Sequence, residues 1–94
     1  MITVANESGV ASDDGEQTIG MLREQIDALD GALLHIVAER VRVSQRIQTA
    51  RMNAGGTRVE LGRERVVLDA YRQALGADGG TLADAVLRIC RGTR

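Results

Sequence analysis

The sequence predicts an all-α fold with three helices per chain, one long, one medium and one short. Three observations predict it. The chain of 94 residues contains no Pro, and its Gly residues cluster at a few points, which favours helices over a strand-and-turn fold. From Leu22 onward, stripe positions recur in alternating steps of four and three, the spacing of a heptad seam. The helix carrying that seam, from about residue 17 to 53, would be roughly 55 Å long at about 1.5 Å per residue. A compact domain of this size has a radius of gyration of only about 12–13 Å. The seam therefore cannot be buried within one chain, and a dimer or larger assembly follows.

Residues 1–15 are small, polar and acidic without helical periodicity, and read as a flexible tail; residues 16–94 form one helical domain. Asp13 and Asp14 are placed to cap a helix starting near Glu16. The seam then runs through Leu22, Ile26, Leu29, Leu33, Ile36, Arg40, Val43, Ile47 and Ala50. Gly55-Gly56 supplies its stop. Thr57-Arg58-Val59-Glu60 has the pattern of a capping box and opens a second helix over about 58–75. That helix carries the stripe Val59, Arg63, Val66, Val67, Ala70 and Ala74, and Gly76 ends it. Thr81-Leu82-Ala83-Asp84 resembles another capping start, for a short third helix with Leu82, Ala85, Val86 and Ile89 on its apolar face. Gly92-Thr93-Arg94 is expected to fray.

Composition excludes several function classes. With no Trp, no Phe and one Tyr, the chain lacks the stacking platforms of single-strand nucleic-acid binders, and a net charge of −1 is unlike a general polyanion binder. Cys90 and His35 are each the only residue of their kind. A structural metal site and an internal disulfide are therefore not expected, and a reducing cytoplasmic setting is the simpler reading. No apolar run is long enough to span a membrane, and no signal peptide is visible. Cys90 reads as a small packing residue and His35 as a surface or core-edge residue.

The arginines are the informative feature. All 12 basic residues are Arg, and 11 of them lie in residues 31–94 against six acids, whereas residues 1–30 hold seven acids and one Arg. Arg40 occupies the seam itself, Arg51 projects to the same side through 40, 44, 47 and 51, and Arg63 interrupts the stripe of the second helix. Burying an unpaired guanidinium costs several kcal/mol, by order of magnitude. A single seam Arg can snorkel or pair with an acid of a partner chain. Three on converging faces, with Glu64 the nearest acid on the second helix, point to an anionic ligand that completes the site. Ser44 and Gln48 are plausible edges of the same pocket.

These residues resemble a known family. Leu22-Arg23-Glu24-Gln25-Ile26-Asp27-Ala28-Leu29-Asp30 is similar to the "LR-x-x-I-D-x-L-D" opening of the AroQ-class (type II) chorismate mutases. Leu34 to Arg40 resembles that family's "L-x-x-L-x-x-R" segment, Ala50-Arg51 its "KAK" or "KAR", and Arg63-Glu64-Arg65 the region opening its second helix. The Gly55-Gly56-Thr57 turn and the ending Arg88-Ile89-Cys90-Arg91-Gly92 look like its short actinobacterial delta subclass. The resemblance covers about residues 19–92. It implies an intertwined all-α homodimer with two equivalent sites, acting in the shikimate pathway toward Phe and Tyr. It implies that Arg23 reaches into the partner chain's site and that Arg40 holds a carboxylate in its own. Arg51 would face the ether oxygen of the breaking bond, Arg63 would orient the substrate, and Glu64 would accept from the C4 hydroxyl. Arg91 would replace a polar group of the third helix, and Glu60 would join Glu64 near C4 or only cap. The family also implies activation by the synthase that begins the pathway.

The implied chemistry suits such a chain. The rearrangement of chorismate to prephenate is intramolecular and needs no nucleophile, metal, cofactor or obligatory proton transfer, only a held conformer and stabilised developing charge. Two alternatives stand beside it. The same arginines could act on 4-amino-4-deoxychorismate or isochorismate. A module without activity, used for helical dimerisation or regulation, would carry the same seam.

Overall fold

The computed structural model describes residues 11–56 and 60–92, with the side chains described from residue 14 onward. Three helices follow one another, α1 (Ala11–Asn53), α2 (Leu61–Leu75) and α3 (Ala77–Arg91). All are α-helical, and among the described residues there is no strand. None of these helices is long and apolar enough to cross a membrane.

The chain divides into two compact units, 1–35 and 36–94. The described part of the first unit is helical throughout. Its apolar side chains are exposed, including Leu22, Ile26, Leu29 and Leu33 of the seam. The helix starts at Ala11, so residues 11–15, expected in the tail, are helical instead, and Asp13 and Asp14 lie inside the helix rather than capping it. Ser12, Asp13, Asp14 and Gly15 are weak helix formers, so propensity does not account for this start; acids in the first turns suit the positive end of the helix dipole. The rest of the expected tail, 1–10, lies outside the described residues.

In the second unit, α1 ends at Asn53, as the Gly55-Gly56 signal predicts, with Gly56 N–H donating to Arg51 O at 2.8 Å and Gly55 N–H to Met52 O at 3.0 Å. α2 starts at Leu61, and its N-cap is Glu60 in an extended conformation with no side-chain capping bond. The capping box expected between Thr57 and Glu60 involves Thr57, which with Arg58 and Val59 lies outside the described residues. α2 stops at Gly76, where φ of +81° is adopted without the steric cost a Cβ would bring, and Gly76 N–H closes on Arg72 O at 2.7 Å.

α3 differs most from its expectation. It starts at Ala77, four residues before Thr81, and takes Gly79 and Gly80 into its first turns. Gly residues weaken an isolated helix by about 1 kcal/mol each, but here they let α3 approach α2. A Cβ on Gly79 would overlap the Tyr71 carbonyl oxygen and lie 2.7 Å from its carbon. The buried faces match the stripes read in the sequence only in part: Val67 and Val86 are buried as expected. Val67, Ala83 and Leu87 form the core cluster, flanked by Leu68 and Tyr71, and Val86 and Cys90 are also buried. Val66, Leu82 and Ile89 are exposed. Gly79 and Gly80 let α3 pack against Tyr71 and Arg72 of α2, and Ala83 is fully buried in that contact.

Gly79→Ala is expected to cost about 1–3 kcal/mol or more, the range for overpacking, because the new methyl meets backbone. Gly80→Ala meets the flexible Arg72 side chain, with Nε 2.7 Å from the added Cβ, and is expected to cost less. Urea unfolding of the two variants separates these outcomes, and equal midpoints would contradict the packing assigned to Gly79.

Candidate active site

A cavity of about 310 Å³ lies within the second unit, where three helix ends meet. The last turns of α1 bring Arg40, Ser44, Gln48 and Arg51; the start of α2 brings Glu60, Arg63 and Glu64; the end of α3 brings Cys90 and Arg91. Val67 and Leu87 of the core form an apolar part of the wall. The local sequence explains the convergence. The Gly55-Gly56 stop ends α1 beside Arg51, and the α2–α3 turn at Gly76 returns the chain so that the C-terminus of α3 faces the N-terminus of α2.

Helix polarity favours this distribution. Arg51 and Arg91 stand in the last turns of their helices and Glu64 in the first turn of α2, each on the side the helix dipole stabilises. On α1 the half-buried polar positions are Arg40, Ser44, Gln48 and Arg51, with Val37 and Val41 half-buried beside them, while Ile36 and Ile47 of the seam are exposed. Arg40 thus leaves the apolar seam and turns into the cavity.

Two contacts organise the pocket. Arg40 Nη1 donates to Cys90 Sγ at 3.0 Å, joining α1 to α3. Arg91 Nη1 donates to Glu64 Oε2 at 2.5 Å, a charge-assisted bond joining α3 to α2. Both members of that pair are about a quarter to a third exposed, so it is neither a solvated surface pair nor a desolvated one. Other arginines behave differently. Arg42 with Glu39, Arg72 with Asp69 and Arg88 with Asp84 pair within a single helix at the surface, where such pairs contribute little.

Four guanidinium groups and two carboxylates line the cavity, giving it a net formal charge of +2 at neutral pH. Such a lining suits a compact dianion, with the carboxylates left to accept from hydroxyl groups. Of the residues singled out by sequence, Arg40, Arg51, Glu60, Arg63, Glu64 and Arg91 are brought together here. Arg63 and Glu60 are the more exposed members. Arg23 is exposed on α1 in the first unit and does not line this cavity. Ser44 and Gln48 do line it. The sequence reading missed that Cys90, taken as a packing residue, is also the acceptor for Arg40. Its position one residue before Arg91 is the only signal that could have suggested this.

Comparison with known proteins bears on the same residues. The chain is 47% identical over 74 residues to the intracellular chorismate mutase of Mycobacterium tuberculosis (strain ATCC 25618 / H37Rv), covering 79% of this chain and 70% of that protein. It is 42% identical over 79 residues to the intracellular chorismate mutase of Mycolicibacterium smegmatis, covering 84% and 76%. Its fold matches a chain of a non-covalent complex of DAHP synthase and chorismate mutase from Corynebacterium glutamicum with bound transition state analog. That match has a TM-score of 0.80 and 36% identity, over 85% of this chain and 96% of the other. The family model for chorismate mutase type II matches residues 22–92. That span takes in most of α1, all of α2 and α3, and every charged residue lining the cavity, and the chain belongs to the type II chorismate mutase family.

Proposed function

We propose that the chain converts chorismate to prephenate by holding the dianion in its compact reactive conformer and stabilising the charge that develops as the ether bond breaks. The observation that carries this reading is the +2 lining of a single cavity, equal and opposite to the charge of a dicarboxylate. In this reading Arg40, held by Cys90, binds one carboxylate, and Arg63 orients the substrate. Arg51 faces the ether oxygen, and Glu64 accepts from the C4 hydroxyl. Glu60 lies beside Glu64 at the cavity wall and adds a second acceptor for that end of the substrate. Arg91 fixes one oxygen of Glu64 and leaves the other to the substrate. No cofactor or metal has a step to perform in an intramolecular rearrangement.

The site is completed in a homodimer, where Arg23 of one chain enters the cavity of the other. The exposed apolar seam of α1 and the exposed position of Arg23 support that assembly. A DAHP synthase is the proposed protein partner, on the strength of the complex named for the C. glutamicum neighbour. A cytoplasmic location follows from the relatives named intracellular and from this partner.

The test is purified protein with chorismate, following ultraviolet loss and identifying the product by chromatography, with and without DAHP synthase. Prephenate formed with saturation kinetics is the expected result. No turnover under either condition, or turnover of the amino analogue or isochorismate alone, would remove the reading.

A further inference from the structure

Gly56 lies against the side chain of Arg51. A Cβ built on Gly56 would stand 2.6 Å from Arg51 Cγ, 3.3 Å from its carbonyl oxygen and 3.4 Å from Cδ. The first distance is far inside van der Waals contact, and Cγ is the root of the side chain rather than its mobile end. Gly56 N–H also donates to Arg51 O at 2.8 Å, so the turn is tied to the same residue it packs against. The neighbouring Gly55 has the opposite character. It has a φ of +83°, and a Cβ there would meet nothing within 4 Å. One glycine is needed for backbone conformation and the other for space.

We infer that Gly56 is a positioning residue for catalysis: its bare α-carbon leaves the Arg51 stem the one path that carries the guanidinium into the cavity. The inference rests on the reading of Arg51 as the group facing the ether oxygen. Any side chain at 56 must rotate the Arg51 stem away. A displacement of about 1 Å in a group that orients or stabilises the reacting atoms can cost about 10²-fold in rate.

The experiment compares Gly56→Ala, Gly55→Ala, Arg51→Ala and the double variant Gly56→Ala/Arg51→Ala, in chorismate kinetics and thermal melts of the full chain. Gly56→Ala is expected to lower kcat by about 10- to 100-fold, with a smaller change in KM. Gly55→Ala is expected to lower the melting temperature and leave kcat unchanged, because only backbone strain is added. In the double variant the Gly56 substitution should cost nothing beyond Arg51→Ala, since the stem it displaces is gone.

A purely structural role would lower kcat by the same factor in both backgrounds, and that result overturns the inference. So does normal turnover by Gly56→Ala where Arg51→Ala is slow. Normal turnover by Arg51→Ala overturns the reading of Arg51 and the inference with it.

Discussion

Arg51→Ala is expected to lower kcat by about 10²–10³-fold or more, the loss typical of removing one donor aimed at developing negative charge. Helix content and oligomeric state should be unchanged. Arg51 is half-buried in the last turn of α1, outside the core cluster of Val67, Ala83 and Leu87. Truncating it therefore opens no hydrophobic void, and its effect on stability should be small. KM should rise less than kcat falls, because the carboxylate-holding arginines remain and the lost interaction strengthens only as the ether bond breaks. Chorismate kinetics, circular dichroism and size-exclusion chromatography together check the three parts of this expectation. Turnover close to wild type would take Arg51 out of the mechanism. An equal loss through KM alone would make it a binding group.

What the sequence made legible was local. Gly55-Gly56 and Gly76 mark the ends of α1 and α2 because a glycine beyond a helix satisfies the last carbonyls without steric cost. The arginines at 40, 51 and 63 stood out because a charge on an apolar stripe demands a partner, and they line one cavity. What was not legible depends on contacts between helices. Gly79-Gly80 has the local signature of a breaker, and only the approach to Tyr71 explains its place inside α3. The stripes of α2 and α3 were right at Val67 and Val86 and wrong at Val66, Leu82 and Ile89. An adjacent apolar pair such as Val66-Val67 fits either face, and packing against α3 buries Val67 and leaves Val66 exposed. Glu60 carried a local role as a cap with Thr57, which lies outside the described residues, and it stands at the cavity wall. Cys90 was hidden by its chemistry: a thiol behaves as a small apolar group until a donor such as Arg40 is placed against it.

A double substitution on the seam, Ile26→Asp with Leu33→Asp, is expected to abolish both the assembly and the activity. Both residues are more than half exposed on α1, as are Leu29 between them and Leu22 before them. Fully burying a Leu or Ile is worth about 1.5–3 kcal/mol each. Two aspartates remove that gain and oppose association by desolvation of charge on both chains. A helix of this composition without a buried face has little to hold it, since most helical stability in proteins comes from packing of an apolar face. Sedimentation or light scattering should therefore report a monomer, and far-ultraviolet dichroism should fall. Turnover should vanish even though no residue of the cavity is altered, because on the proposed reading Arg23 of a second chain no longer reaches the site. Mixing the double variant with Arg51→Ala under conditions that exchange subunits gives a sharper reading. The seam variant keeps every cavity residue but has no means of pairing, so activity should not recover. Mixing Arg23→Ala with Arg51→Ala should restore part of the activity, because in the proposed arrangement one cavity of a mixed dimer combines Arg51 of one chain with Arg23 of the other. Failure of that second mixture to recover activity, with exchange demonstrated, would place Arg23 outside the partner's cavity; full activity in a seam variant shown to be monomeric would mean that one chain suffices.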